Sequence, residues 1–180
     1  MQIETARLPN GRSLQLEVVK HPGGAVVVAL NDASQVCLLR QYRHVADKTF
    51  IWELPAGCID PDDTMPLDTA KRELREEAGI IAGQWSDLGA IRPSPGYCDE
   101  VLYLYLAREL TLFDTRQQED EVIEVHWLDF KQAVAMAAKG DISDAKSVAG
   151  LFRAAIYSGI DLLEGMRTDA VGAPAGQMHK

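Results

Sequence analysis

The stretch from Thr64 to Gly79 constrains the fold more than any other part of this chain, because it carries signals for both ends of one helix. Thr64 is a favourable N-cap, Pro66 suits the first turn, and Gly79 is a typical helix stop. Apolar side chains recur at helical spacing, at Leu67, Ala70, Leu74 and Ala78. The pattern predicts a helix over about residues 65–78 with one face in a core.

Three glutamates lie beside this apolar face. At about 100° per residue, Glu73 and Glu77 are roughly 40° apart, and Glu76 lies roughly 60° beyond Glu73. Like charges at this spacing cost about 0.2–0.5 kcal/mol, and the edge of a core adds a desolvation penalty. A hard divalent cation with oxygen ligands would remove both costs. The alternative for these residues alone is a solvated acidic helix with Arg72 paired to Glu76.

Strands and two more helices are predicted around this helix. The predicted strands cover residues 14–19, 25–30, 36–40, 51–54, 101–107 and 122–128, and the helices cover about 130–139 and 145–157. The strand at 51–54 stops at Pro55-Ala56-Gly57, so an Asp-rich loop joins a strand end to the acidic helix. Periodicity is lost from about residue 165, and this tail is expected to be mobile.

Charge and composition limit the class of partner. The 180 residues include 18 Lys and Arg against 27 Asp and Glu, a net charge of -9, which argues against nucleic-acid binding. An acidic protein can still hold a phosphate-bearing molecule through a divalent metal. No apolar run approaches the about 18 residues of a membrane span. The three cysteines match no zinc pattern and, with no secretory signal expected, favour a cytoplasmic location with reduced thiols.

The segment Arg72-Glu73-Leu74-Arg75-Glu76-Glu77-Ala78-Gly79-Ile80, with Gly57 before it, resembles the signature of the Nudix hydrolases. The resemblance covers roughly residues 12–155 and is greatest to the ADP-ribose pyrophosphatases. Supporting segments are Pro9 to Gly11, Gln41 to Arg43, Trp52 to Gly57, Ser94 to Glu100 and Asp144 to Ser147. The chain departs from the family at Asp63, where a Glu is usual, and in a spacer before Arg72 that is one residue longer. Asp62 or Asp63 could assume that residue's role of pairing with the Arg.

The resemblance implies a mixed α/β (α+β) fold, an α/β/α sandwich with a mixed, curved sheet and a short N-terminal β region. Residues 1–22 would form that N-terminal strand region and a dimer contact, 23–164 the catalytic domain, and 165–180 the mobile tail. Relatives of this subgroup form homodimers. A monomer whose N-terminal hairpin covers its own sheet edge is the alternative.

The resemblance also assigns a metal site and a metal. Glu73 and Glu77 would be the main ligands, with Glu76 close behind and involved in the chemistry, and the backbone carbonyl of Ala56 would join them. The implied cofactor is Mg²⁺, two or three ions, with Mn²⁺ as a substitute.

Roles in catalysis and substrate binding follow from the same resemblance. The general base would come from the loop 114–121, with Glu119 favoured and Glu121 as the second choice. Arg43 would reach the phosphates of the substrate. Glu53 and Glu100 would lie at the substrate, although Glu53 could instead belong to a structural ion pair.

The implied reaction is metal-dependent hydrolysis of the diphosphate of ADP-ribose or a related nucleoside diphosphate sugar, giving AMP and a sugar phosphate. One alternative is a Nudix hydrolase for GDP-mannose, dinucleotides or another nucleoside diphosphate derivative, because loops that the sequence does not place decide substrate choice. Another is a binding protein that has lost catalysis. The expected partner is a small nucleotide sugar.

Overall fold

The computed structural model describes residues 1–46, 48–115 and 122–160 and has a mixed α/β architecture. The strands are β1 (Gln2–Arg7), β2 (Ser13–Val18), β3 (Gly24–Ala29), β4 (Gln35–Arg43), β5 (Thr49–Glu53), β6 (Ala56–Cys58), β7 (Ile80–Ile91), β8 (Leu102–Leu112) and β9 (Ile123–Asp129). The helices are α1 (Pro66–Ala78), α2 (Phe130–Lys139) and α3 (Ala145–Tyr157). The predicted mobile tail, residues 165–180, lies wholly outside the described residues.

Strand β3 is the centre of the fold because every one of its residues is buried. It lies in a four-stranded sheet of order β6-β3-β8-β7, in which β3 and β8 are parallel and the other pairs antiparallel. Ala25, Val27 and Ala29 pack toward α1 on one face. Val26 and Val28 belong to the cluster that includes residues of α2 and α3 on the other face. A sheet covered on both faces explains the unbroken apolar run of β3, and the predicted α/β/α layering is confirmed.

Two smaller sheets complete the described structure. Strand β4 pairs with β5 on one side and β9 on the other, both antiparallel. Strands β1 and β2 form a separate two-stranded hairpin around the turn that contains Gly11 (φ 84°). Met1, Ile3 and Leu14 of this hairpin are exposed. The predicted N-terminal β region is therefore present as a hairpin rather than the single strand expected at 14–19.

Helix α1 has the predicted extent, but its first turn differs from the prediction. Gly79 ends the helix in the left-handed conformation (φ 65°), as expected, and its N–H donates to the carbonyl of Arg75. The N-cap is Met65, whose side chain makes no capping hydrogen bond, so the prediction of Thr64 is wrong. The Thr64 hydroxyl instead donates to Asp68 Oδ2 over 2.6 Å.

Strands β1, β6 and β7 were not predicted. Strand β7 is twelve residues long, and its burial does not alternate cleanly. It is defined by its antiparallel pairing with β8, which is interrupted by an irregularity between Asp87 and Ala90. A strand specified by its partner leaves little period-two signal in its own sequence.

Candidate active site

A cavity of about 540 Å³ opens at the edge of the sheet where β3 begins. Its floor includes Gly24 of β3 and the neighbouring strand β6, and α1 forms one wall. A second wall, here called the cation wall, comes from the end of β4 and the start of α3. Elements distant in the sequence thus meet around one concave space, the usual form of a small-molecule site.

The α1 wall carries two buried carboxylates, Glu73 and Glu77, which are 9% and 3% exposed. Glu77 Oε2 accepts a hydrogen bond from the Ala56 N–H over 2.9 Å. The Glu73 carboxylate lies so close to Gly57 that a Cβ at this position would overlap it. Gly57 is therefore required for the approach of helix and strand, which gives a physical reason for the glycine that precedes the acidic helix.

Arg72 is the cation of this wall, and it binds several acceptors at once. Its Nη1 lies 2.7 Å from Glu73 Oε1 and 3.4 Å from Glu76 Oε2. Its Nη2 donates to the carbonyl of Cys58 over 3.0 Å and lies 3.4 Å from Asp63 Oδ2. Burial opposes the charge of this guanidinium, but the adjacent carboxylates, Glu73 first, outweigh burial and raise its pKa.

Asp63, the residue at which the chain departs from the family pattern, braces the loop before α1. Its Oδ2 accepts the Thr69 hydroxyl over 2.7 Å and the Asp60 N–H over 3.0 Å. These bonds, Thr69 first, and the contact with Arg72 lower the pKa of Asp63. The shorter acid in the longer spacer thus reaches the same arginine that a Glu would be expected to reach.

The cation wall contains two cations held by a buried acid. Arg43 Nε and Nη2 donate to the two oxygens of Glu53 over 2.6 and 2.8 Å. Lys146 Nζ lies 2.5 Å from Glu53 Oε2 and 3.0 Å from Asp144 Oδ2. Burial raises the pKa of Glu53, which is only 2% exposed, but hydrogen bonds and charge from Arg43 and Lys146 outweigh burial and lower it.

Helix α3 is fixed to this wall by its first turn. Asp144 caps the helix by accepting the Ser147 N–H over 3.1 Å, and the Ser147 hydroxyl donates to the same carboxylate over 2.6 Å. Ser147 Oγ accepts the N–H of Leu54 over 2.7 Å. The start of α3 and the end of β5 therefore hold Lys146 and Glu53 in one place.

The mouth of the cavity is formed by Glu100, His21 and Cys58. Glu100 Oε1 lies 3.4 Å from His21 Nδ1, and His21 Nε2 lies 3.8 Å from Cys58 Sγ. Burial, followed by the charge of Glu100, raises the pKa of the Cys58 thiol. All three cysteines are free, and Cys37 lies in the core.

The predicted site residues divide into three groups. Arg43, Ala56, Glu73, Glu77 and Glu100 line the cavity together. Glu53 lies beneath the wall and binds Arg43, and Glu76 lies beside the cavity against Arg72. Glu119 and Glu121, the predicted bases, lie outside the described residues.

Sequence reasoning assigned no role to Gln41, Lys146, Asp144 or His21, which also line the cavity. Gln41 and the pair Asp144 and Lys146 belong to segments that carried the family resemblance. The resemblance of these segments to the family was the available signal, but it does not show which of their side chains line the cavity. Only the packing of β4 and α3 against the rest of the fold brings Gln41 and Lys146 to the cavity that the acids of α1 line.

The residues on the α1 wall suit a hard divalent cation in their chemistry. Two buried like charges, Glu73 and Glu77, face one space beside the backbone of Ala56, and all of these donors are oxygens. Within residues 1–46, 48–115 and 122–160, no three acidic, His or Cys side chains gather around one point. The carboxylate pair and the strand-end carbonyl would therefore hold the ion, with Glu76 nearby on the same helix.

Comparison with known proteins agrees with this geometry. A family model described as the NUDIX domain matches residues 20–151. An ADP-ribose pyrophosphatase of Bacillus subtilis is 34% identical over 149 residues, 82% of this chain and 80% of the relative. An ADP-ribose pyrophosphatase of Mycobacterium tuberculosis is 34% identical over 151 residues, 82% of this chain and 72% of the relative. A GDP-mannose pyrophosphatase of Yersinia enterocolitica is 32% identical over 159 residues, 82% of each chain.

A solved structure of an ADP compounds hydrolase shares the fold, with a TM-score of 0.72 at 21% identity, covering 91% of this chain and 85% of that one. Among the described residues, no helix combines the length and apolarity needed to cross a membrane. Enzymes of the matched family generally use a divalent metal ion. The chain therefore belongs to the Nudix family, and it is a Nudix pyrophosphatase.

Proposed function

We propose that this enzyme hydrolyses the diphosphate of ADP-ribose or a similar nucleoside diphosphate sugar in the presence of Mg²⁺, giving AMP and a sugar phosphate. The supporting observation is that one cavity is lined both by buried carboxylates on α1 and by the partly exposed cations Arg43 and Lys146. A diphosphate carries charge that both walls can bind, directly at the cations and through metal at the acids. The names of the relatives from Bacillus subtilis and Mycobacterium tuberculosis favour ADP-ribose.

The residues act in stated roles in this proposal. Glu73, Glu77 and the carbonyl of Ala56 hold the metal, with Glu76 supporting them. These residues would hold an ion that supplies positive charge to the phosphates and makes water easier to deprotonate. Arg43 binds phosphate oxygens, and Glu53 keeps its guanidinium in position.

The remaining roles are at the mouth of the cavity and in the loop before β9. Glu100, which lines the cavity, contacts the substrate. Glu119, or Glu121 in its place, accepts the proton of the attacking water as general base.

The test is a product analysis with ADP-ribose, GDP-mannose, ADP-glucose, NADH and diadenosine polyphosphates, each with Mg²⁺ and with EDTA. AMP and ribose 5-phosphate from ADP-ribose, formed only with metal, are the expected result. Mn²⁺ should substitute for Mg²⁺. Cleavage of none of these compounds would contradict the proposal and favour a binding protein without catalysis.

Preference for GDP-mannose is the second candidate. It rests on the GDP-mannose pyrophosphatase of Yersinia enterocolitica, which matches as much of this chain as the ADP-ribose enzymes do. Both substrates offer the same diphosphate to the two walls and differ in the base and sugar. The ratio of kcat/KM for ADP-ribose and GDP-mannose in the same assay decides between them.

We also propose that the enzyme acts as a cytoplasmic homodimer through its N-terminal hairpin. Its thiols are unpaired, as suits a reducing compartment, and the exposed Met1 and Ile3, at alternate positions on one face, offer an apolar contact. Light scattering after size exclusion should give twice the chain mass of 19.8 kDa. Ile3→Glu should lower that mass, and a monomeric wild-type protein would contradict the proposal.

A further inference from the structure

The inward face of β4 changes character as the strand enters the cavity. Side chains at alternate positions share a face, and Cys37 and Leu39 pack in the core cluster that includes α1. The next position on this face is Gln41, and the one after it is Arg43, both of which line the cavity. The face therefore passes from apolar through neutral polar to cationic, with Gln41 between the core and the arginine.

Gln41 is a buried polar residue without a protein partner. It is 6% exposed, and within the described part of the chain its side-chain amide makes no hydrogen bond to protein. Among the same residues, Arg72 Nε is the only fully buried side-chain nitrogen or oxygen without a hydrogen-bond partner. The amide of Gln41 is therefore not fully enclosed by protein, and it reaches the space of the cavity. Buried polar groups are nearly always satisfied, and one that opens on a binding cavity has its partner in the ligand.

We propose that the Gln41 side chain is a substrate contact whose amide N–H groups donate to the oxygens of the diphosphate. This inference rests on the proposed function only in taking a diphosphate as the group bound. Gln41 lies two positions before Arg43 on β4, and both line the same cavity as the acid pair of α1. An amide supplies two N–H donors, and it adds them without another positive charge beside Arg43 and Lys146.

The neighbouring cations have donors left for the same ligand. An ammonium has three N–H groups, and Lys146 uses two of its own on Glu53 and Asp144. Arg43 uses Nε and one N–H of Nη2 on Glu53, and among the described residues its Nη1 makes no hydrogen bond to protein. In this proposal Gln41, Arg43 and Lys146 all donate hydrogen bonds to the phosphate oxygens, and Gln41 is the uncharged donor of the three.

The test compares Gln41→Met, which keeps the length of the side chain and removes its polar end, with Tyr42→Phe as matched control. Tyr42 is the next residue on β4, points to the other face and packs against Phe50. Binding of imidodiphosphate, an uncleaved diphosphate, is measured by calorimetry with Mg²⁺, and thermal unfolding is measured on the same samples. Gln41→Met should bind at least about tenfold more weakly, the effect of losing a hydrogen bond to a charged group, while Tyr42→Phe binds like wild type.

The melting temperature separates a ligand contact from a structural role. Removing an unsatisfied amide should leave the melting temperature of Gln41→Met unchanged or higher, whereas a fall of several degrees would show that the amide supports the fold and would overturn the inference. Equal binding by Gln41→Met and wild type would also overturn it, as would absence of imidodiphosphate binding by the wild type. Gln41-dependent binding in a protein that cleaves no nucleotide sugar would uphold the contact and reject only the proposed function.

Discussion

Three buried glutamates lie at one cavity, and the surroundings of Glu53 differ from those of the pair Glu73 and Glu77. Glu53 lies beneath the cavity wall and bridges two cations, Arg43 and Lys146. Glu73 and Glu77 lie one turn apart on α1, line the cavity and carry the same charge. A buried acid between cations fixes a geometry, whereas two neighbouring buried acids repel each other even with Arg72 beside Glu73, and a divalent cation would relieve that repulsion. We infer that Glu53 holds the cations of the site in position and that the acids of α1 bind the metal ion.

The largest expected effect is on turnover in Glu77→Gln. Removing a charged metal ligand should lower kcat at saturating Mg²⁺ by at least about a hundredfold, since metal stabilisation of the transition state is worth several kcal/mol. The melting temperature should stay the same or rise, because repulsion from Glu73 falls and the Gln oxygen can still accept the N–H of Ala56.

Glu76→Gln is the control, because Glu76 is on the same helix but lies against Arg72 outside the cavity lining. It should lose less activity than Glu77→Gln. Unchanged turnover in Glu77→Gln would mean that this carboxylate is not a ligand. The proposed difference between a metal-binding Glu77 and a positioning Glu53 would then be wrong.

The converse is expected of Glu53→Gln, where stability is the main loss. Breaking a buried ion pair by removing one partner destabilises a protein by about 3–5 kcal/mol, and here two cations lose their common acceptor. Urea unfolding should show this loss. Adding Lys146→Met should restore part of it, since one uncompensated charge is removed. Equal unfolding free energies for wild type and Glu53→Gln would show that the buried pairing does not determine the geometry.

The same contrast explains how far the sequence could predict the molecule. Helix α1 was predictable because its apolar spacing and its stop at Gly79 are local, and the angular positions of Glu73 and Glu77 follow from helix geometry alone. Strand β7 was not predictable because its pairing with β8, and not its own pattern, defines it. The cap was misassigned to Thr64 because the helix begins one residue later, at Pro66, which places Met65 at the N-cap.

The contacts of Arg43, Glu53 and Lys146 could not be predicted from local sequence patterns, because they too depend on packing between elements. Glu53 and Lys146 are 93 residues apart in sequence, and their contact depends on how α3 docks against β5. The family pattern marked both segments without saying that Glu53 is buried beneath the site while Gln41 and Lys146 face it. Acids on one helix can be placed from the sequence, whereas a site residue that depends on packing between elements cannot.

A smaller effect is expected from Asp63→Asn, which tests the brace of the acidic wall. The change keeps an oxygen for the Thr69 hydroxyl and removes the charge facing Arg72. Residues that orient a metal site from behind typically contribute about 10–100-fold to metal affinity or activity, and we expect the low end of that range. The Mg²⁺ dependence of turnover should show it. Asp62→Asn, at an exposed neighbour, should behave like wild type, and equal effects of the two changes would contradict a specific role for Asp63.

The smallest expected effect is the acid dependence of the stability that Glu53 supplies. Because Arg43 and Lys146 outweigh burial, the pKa of Glu53 in the folded protein lies below its ordinary 4.5. A carboxyl with a depressed folded pKa contributes stability that is fully present above the unfolded pKa and is lost as pH falls through the folded pKa. The unfolding free energy of wild type minus that of Glu53→Gln should therefore be constant from about pH 7 to about pH 5 and shrink below about pH 4. A difference that instead grows with acid would mean that Glu53 is protonated in the folded protein, and the ion pairs that distinguish it from the acids of α1 would not exist.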